Sequence, residues 1–561
     1  MRYTRSPMPS DVELYQRTYT TLLRSRGETK LRILESLHRA MRSSLHPLAD
    51  SEELDLGAFL YATQRLPARI YQGRVVILGQ EAEQFAAAGI PFSEEWPVTE
   101  SPARRRRWHE GPDGQWAVLL SSTSDVDDLI PTLVAYQIEW NKLRRRLKAI
   151  NWPRPHALPG AAECARALGG SVEDWTRLQE AWGQAFAQRL GEVAETNLSL
   201  RVRMLGGSQV SYARMTRRWW QPVADDLERH DLGGAPLYFV SSNTHSLVNL
   251  VSGDAQAREA ELVDWVEHHG PGDLREELAA FREERTPGSW DNFLYFLARD
   301  HATANPEAQH ARRDAEAAVG IVHLGSKTGL RVATQIMPLA RLDPTRMDPR
   351  LGDVDADALR RSGAVIVNVD YPLGLAAYNI LREITEDRDT LRGVYVLGKA
   401  ATLNADVGDV MISNTVFDEH SGTTYWLDNA FTFDDIAPYL RFGSGLDNQR
   451  AVTVRSTFLQ NRDYLDLYYR EAYTVVEMEA GPYCNAVYEI AEADRFPTGG
   501  QVNFSRLPID LGIVHYASDT PYTQARTLGA RGMSYYGMDS TYATSIAILR
   551  RIFAQVGALK T

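Results

Sequence analysis

Two carboxylates one residue apart close an apolar run in Val475-Val476-Glu477-Met478-Glu479-Ala480-Gly481. A carboxylate accepts two hydrogen bonds from a vicinal diol. It also stabilises the positive charge that grows on a sugar as its bond to a base breaks. The same two acids suit the first turn of a helix. A second apolar run, beginning at Leu511, ends in Ser518-Asp519. A carboxyl there can protonate a leaving group if a dry pocket raises its pKa, or it can cap the following turn. Lys327 and Arg331 follow Gly325, and Lys399 follows Gly398. Glycines at a strand end let backbone N–H groups and nearby cations reach an anion. Arg455, Ser456 and Phe458 close the run Val452-Thr453-Val454-Arg455-Ser456-Thr457-Phe458, either as pocket wall or as strand core.

These residues need elements to hold them. From about residue 314, strand-like runs alternate with helical stretches: GIVHLG, AVIVNVD, GVYVLG, DVMISNTVF, AVTVRSTF, YTVVEME and LGIVHYASD. That alternation predicts an α/β domain over 314–561. Residues 1–150 read as a mixed α/β region, with strands predicted at Arg74–Leu78 and Gln115–Leu120. A helix is predicted from Ser124-Asp125, acidic at its start and basic at its end, as its dipole favours. The Pro-rich stretch Asn151–Gly160 reads as a linker. Residues 151–313 read as mainly helical, with a short strand near 237–240. The loop Ser241–Ser246 after that strand is either an anion-facing helix start or a plain capped turn, and His245 reads as a structural histidine. The Trp residues of 175–220 read as packing residues. The basic runs Arg104–Arg107 and Arg144–Arg146 read as a solvated loop and a helix face, or else as a polyphosphate or partner contact.

Four C-terminal segments, in order and rough spacing, resemble the nucleoside phosphorylase/nucleosidase superfamily over about 240 residues. They are GIVHLGSKTGLR, AVIVNVDYPLG, GVYVLGKAAT with Val407-Gly408-Asp409-Val410, and VVEMEAG. The last resembles the family signature most closely. The resemblance implies a mixed, twisted central sheet flanked by helices, and the residues before it read as a mostly helical α+β region. It implies that Glu479 and Met478 hold ribose, with Glu477, Phe458, Ser518 and Arg455 around the substrate. It implies that Asp519 protonates or hydrogen-bonds the purine N7. Gly325, Lys327, Arg331, Gly398 and Lys399 fall at its phosphate positions. Lys399, Ala400 and Ala401 replace the family's small turn residues, so Lys399 either contacts an anion or blocks that subsite.

The chain has 561 residues, 44% hydrophobic and 24% charged, ordinary for globular domains. Net charge is −12, which argues against broad nucleic-acid binding. Two distant cysteines, Cys164 and Cys484, offer no metal-ligand spacing and fit a reducing cytoplasm. No signal peptide, membrane span or metal site is expected. The expected activity is cleavage of the N-glycosidic bond of a purine nucleoside or nucleotide. No cofactor is expected beyond inorganic phosphate as a co-substrate of phosphorolysis. The expected partners are the small-molecule ligand and further copies of the chain. The alternative is a non-catalytic nucleotide-binding or sensing protein whose altered GKAAT turn has lost phosphate chemistry.

Overall fold

The computed structural model describes residues 10–25, 27–91, 96–152, 160–206, 209–285, 288–325, 328–386, 390–492, 500–504, 506–519 and 535–560. Two sheets organise them. The first holds β1 (Thr29–Lys30), β2 (Val75–Gly79), β3 (Val98–Ser101), β4 (Arg104–Glu110), β5 (Gln115–Leu119) and β6 (Arg201–Met204), in the order β1-β6-β2-β5-β4-β3. The five residues of β2, VVILG, are all buried, and the strand runs parallel to both β5 and β6. A continuous β-branched and apolar run is what a strand covered on both faces requires.

The helix Thr123–Ala149 crosses this unit and is buried along most of its length. Its acids do more than complement the dipole. Asp125 and Asp128 pair with arginines of β4, and Asp127 accepts from the Tyr19 hydroxyl. The run Arg104–Arg107 is therefore strand, with Arg104 and Arg106 buried or half-buried on one face, rather than a solvated loop. Side chains two apart on a strand share a face. Most of the expected linker Asn151–Gly160 lies outside the described residues.

The second sheet holds β7 (Leu237–Ser242), β8 (Val322–Leu324), β9 (Thr334–Pro338), β10 (Val365–Asp370), β11 (Leu391–Thr402), β12 (Val410–Asp418), β13 (Thr423–Trp426), β14 (Gly445–Thr453), β15 (Val475–Glu477), β16 (Gln501–Asn503) and β17 (Asp510–Asp519). Its order is β16-β13-β12-β14-β15-β11-β7-β10-β9-β8, with β17 pairing β11 and β12. Parallel and antiparallel pairs are mixed, and all seven strand-like runs of the sequence lie in it.

The expected domain boundary near 314 does not hold. β7 lies in mid-sheet, parallel to β10 and β11, and all six of its residues are buried. A strand buried on both faces needs two neighbours, so residues before 314 belong to the second sheet. The helix Gln209–Arg229 packs on the same core through Trp219 and Trp220, and Trp219 Nε1 donates to the Val332 carbonyl at 2.8 Å. The N-terminal unit therefore ends near Met204, and the C-terminal unit begins with that helix.

The two units interlock. The turn Thr457–Leu459 packs against the helix Thr123–Ala149. Leu459 joins the N-terminal core, and Asn461 Nδ2 donates to the Met41 carbonyl at 2.7 Å. Both cysteines are buried thiols. Among the described residues, no helix is long and apolar enough to cross a membrane.

Candidate functional site

β15 delivers Glu477, Met478 and Glu479 to the start of the helix Ala480–Ala491. The first four N–H groups of a helix need outside acceptors. Glu477 meets that need. Its Oε2 accepts from the backbone N–H groups of Glu479 and Ala480, each at 2.6 Å. Its Oε1 accepts from the Thr453 hydroxyl, whose oxygen in turn accepts from Gly481 N at 2.7 Å. Glu477 was expected beside the substrate. Its two oxygens are instead spent on this cap, although the residue forms part of the cavity wall. Gly481 must be small, because an added Cβ would stand 2.6 Å from Asp418 Cβ.

With Glu477 holding the helix start, Glu479 faces a cavity of about 620 Å³ between the two units. Its Oε1 accepts from Gly374 N at 3.0 Å. Burial pushes its pKa up to about 7, against the pull of the Gly374 N–H and Arg104. Burial, reinforced by the Glu479 charge, also raises Glu477, to about 8. Tyr371 and Met478 stand beside Glu479 on the wall, and the Tyr371 hydroxyl helps hold the Glu479 carboxylate.

The expected phosphate turn after Gly398 is not a turn. β11 continues to Thr402, pairing Gly398–Ala400 with His515–Ala517 of β17, with a register shift between Ala400 and Ala401. Its backbone groups serve the sheet there, and Lys399 lines the cavity. Gly398 also lines the cavity. A Cβ at that position would stand 2.6 Å from Tyr371 Cε2, so the glycine makes room for the tyrosine.

The first expected anion turn also moves. β8 is the edge strand of the sheet, and Gly325 beyond it is exposed and off the cavity. Lys327 lies outside the described residues. Arg331 does line the cavity, with Nη2 3.8 Å from Glu100 of the N-terminal unit. Three mid-sheet strands end at the cavity, β7 through Ser242 and Asn243, β10 through Asp370 and β15 through Glu477. Asn243 Oδ1 accepts from His245 N and Ser246 N, capping the helix Ser246–Ser252. His245 is structural, its Nδ1 3.2 Å from the Tyr542 hydroxyl.

Ser518 lines the cavity, and its hydroxyl donates to the Ala400 carbonyl at 3.1 Å. Asp519 closes β17 opposite Ala401, and its side chain lies outside the description. Two expected substrate residues stand away from the cavity. Phe458 packs among Tyr61, His38 and His46, with centroids at 5.2, 5.9 and 6.3 Å. Arg455 donates to the Glu419 carbonyl at 2.8 Å and to Gln16 Oε1 at 2.8 Å, tying the units together. Both residues follow the end of β14 at Thr453, where the chain turns toward the N-terminal unit.

Sequence reasoning missed the N-terminal wall. Arg65, Arg104 and Arg106 line the cavity. Arg104 pairs with Asp128 at 3.0 Å, and Arg106 pairs with Asp125 and Asp128 at 2.7 Å each. Against the effect of burial, Arg104 and Arg106 hold the Asp128 carboxyl well below the usual carboxylate range. The available signal was a basic strand followed by an acidic helix start, two segments whose charges complement each other.

Solved structures similar to part of the chain include a methylthioadenosine phosphorylase from an Antarctic soil metagenomic library. It is 9% identical, with 35% of this chain and 72% of that chain covered and a TM-score of 0.27. A 5′-methylthioadenosine/S-adenosylhomocysteine nucleosidase from S. pneumoniae is 14% identical, covering 42% and 90%, with a TM-score of 0.28. A uridine phosphorylase from Vibrio fischeri ES114 is 10% identical, covering 43% and 87%, with a TM-score of 0.28. No curated protein matches the chain. Residues 31–554 match the model described as "Family of unknown function (DUF6909)", and the chain belongs to that family.

Proposed function

We propose that this chain cleaves the N-glycosidic bond of a purine nucleoside or nucleotide, by phosphorolysis or hydrolysis, in the cavity between its two units. The observation that carries the reading is Glu479. A buried carboxylate with one oxygen fixed by Gly374 N faces a cavity that also holds Met478 and several cations. In the reading, Glu479 accepts hydrogen bonds from the ribose hydroxyls, and Met478 packs on the sugar. As the bond to the base weakens, the sugar gains positive charge, and the nearby carboxylate favours that state more than the ground state. Asp519, at the end of β17, gives a proton to the leaving base. Water or inorganic phosphate supplies the nucleophile, with Lys399 and Arg331 drawing an anion into the cavity.

The test is to incubate the purified full chain with adenosine, inosine, AMP and NAD, with and without phosphate, and to follow free base. Release from at least one, lost in Glu479→Gln, is expected. Absence of release from all four under both conditions would overturn the reading.

A further inference from the structure

The helix Arg462–Arg470 buries one side and leaves the other uncovered. Leu465 is buried in one cluster with Val452 and Val476. Tyr468 packs on Phe417 of β12, with ring centroids 6.5 Å apart. At about 3.6 residues per turn, Leu467 lies nearly opposite Leu465. Leu467 is 50% exposed, Tyr464 is 37% exposed, and Tyr469 at the end of the helix is 48% exposed. Trp426 of β13 pairs with Thr415, and Phe417 lies two residues further along β12, on the same face of the sheet. Trp426 therefore stands on the face that carries this helix, and it is 49% exposed. Four of the nine large hydrophobic side chains exposed among the described residues thus belong to one surface. Apolar exposure gathered in this way marks an interaction surface.

Charged groups frame Leu467 in a pattern that complements itself. Helical spacing puts Asp463 and Arg470 on one side of Leu467, and Tyr464 and Glu471 on the other. All four are exposed. Asp463 pairs with Arg42 at 2.8 Å, and both remain more than half exposed. Among the described residues, the Arg470 guanidinium and the Glu471 carboxylate make no ion pair or hydrogen bond. A two-fold axis beside Leu467 sets a second helix antiparallel, and each side then meets the same side of its copy, reversed in direction. Asp463 falls opposite Arg470 of the second copy, and Tyr464 falls opposite its Glu471. The two Leu467 side chains meet at the centre. Antiparallel packing also sets the two helix dipoles head to tail.

We propose that this face is the interface of a two-fold dimer, with a second copy of the chain as its occupant. The dimer packs Leu467 on Leu467 between two Asp463–Arg470 ion pairs and two Tyr464–Glu471 hydrogen bonds, with Trp426 and Tyr469 at its rim. Aromatic side chains and arginine are the residues that dominate interface centres. None of these residues lines the cavity, so the pairing leaves the ligand site of each copy whole. The dimer does not depend on the chemistry proposed for Glu479.

The test is sedimentation velocity on the full chain from about 1 to 100 µM, with unfolding temperatures taken alongside. Wild type should pass from monomer to dimer with a Kd on the order of 10 µM, as a small interface allows. Arg470→Asp and Asp463→Arg should each stay monomeric, because each sets like charges against one another across the axis. An equimolar mixture of these two variants should recover the dimer, since every Asp–Arg contact then returns in swapped form. Leu467→Asp, at an exposed position, should fold and stay monomeric. A monomeric wild type overturns the proposal, whatever other partner that face then proves to hold. A trimer or larger ring overturns it too, as does a dimer that survives in folded Arg470→Asp and Leu467→Asp. A mixture of the two folded charge variants that stays monomeric has the same force. Should either charge variant fail to fold, Leu467→Cys decides, since both native cysteines are buried. Mild oxidation should join two copies of that variant through a disulfide at the centre of the interface, and chains that stay separate overturn the dimer.

Discussion

Gly374 N donates to Glu479 Oε1 at 3.0 Å, and the same glycine lies against Ser124 at the start of the long N-terminal helix. Ser124 Oγ accepts in turn from Leu375 N at 2.9 Å. One tight turn after β10 therefore fixes the Glu479 carboxylate and docks the N-terminal unit. The position of Glu479 depends on both halves of the chain.

Gly374→Ala tests that dependence. Gly374 has φ of +54°, and an added Cβ would stand 2.6 Å from Ser124 Cβ. A side chain there is strained by its backbone and also meets the neighbouring helix. The expected cost is about 1–3 kcal/mol of stability. Base release should fall with it, because the donor that holds Glu479 shifts. Thermal unfolding and the release assay check both. An alanine variant of wild-type stability and rate would separate the turn from the site.

The pH dependence follows from burial. Glu479 is raised from an ordinary 4.5 to about 7. The folded chain then binds a proton over a range in which the unfolded chain has lost it. Stability from this group is full below about 4.5 and declines as pH rises toward about 7, since deprotonation favours the unfolded state. Glu479→Gln should make that decline shallower in urea titrations between about pH 5 and 7, leaving the part that belongs to Glu477, which burial also raises. Base release should move oppositely, rising through about pH 7 as the carboxylate needed by the sugar forms. A rate that falls over that range would contradict an anionic Glu479.

Much of this site was legible in the strand ends. The VVEMEAG segment places Glu479 and Met478 at the cavity, and the strand runs after residue 314 are all strands of one sheet. What escaped were features set by distance in sequence. β7 is an apolar run among helices, and its place in mid-sheet depends on β10 and β11, more than 100 residues later. Arg104 and Arg106 look like a solvated run until Asp125 and Asp128 neutralise them. Glu477 and Glu479 have the same chemistry and nearly the same place. Only the orphan N–H groups of the following helix decide which one is spent as a cap.

That division of labour gives a direct comparison. Glu477→Ala removes the acceptor of two backbone N–H groups and the partner of Thr453. Leaving such buried donors unmet costs about 1–3 kcal/mol. The variant should lose thermal stability and release base more slowly, because the helix start carrying Glu479 is loosened. Glu479→Gln should leave stability at pH 5 nearly unchanged while abolishing release. If both variants instead showed the same pattern, the assignment of cap and sugar contact to separate residues would be wrong.

Phe458 supplies the last test, at a distance from the ligand. Its ring meets Tyr61 edge-on at 5.2 Å, and Tyr61 lines the cavity beneath the Arg65 guanidinium, 3.2 Å from the ring centroid. Phe458→Ala would open a void between the two units, at an expected cost of about 3–5 kcal/mol. Phe458→Leu keeps most of the apolar volume and should cost about half as much. Neither variant removes a group that touches the cavity, so folded Phe458→Leu should bind adenosine with wild-type affinity while unfolding at a lower temperature. A variant that lost nucleoside affinity without losing stability would return Phe458 to the ligand, where base stacking would place it.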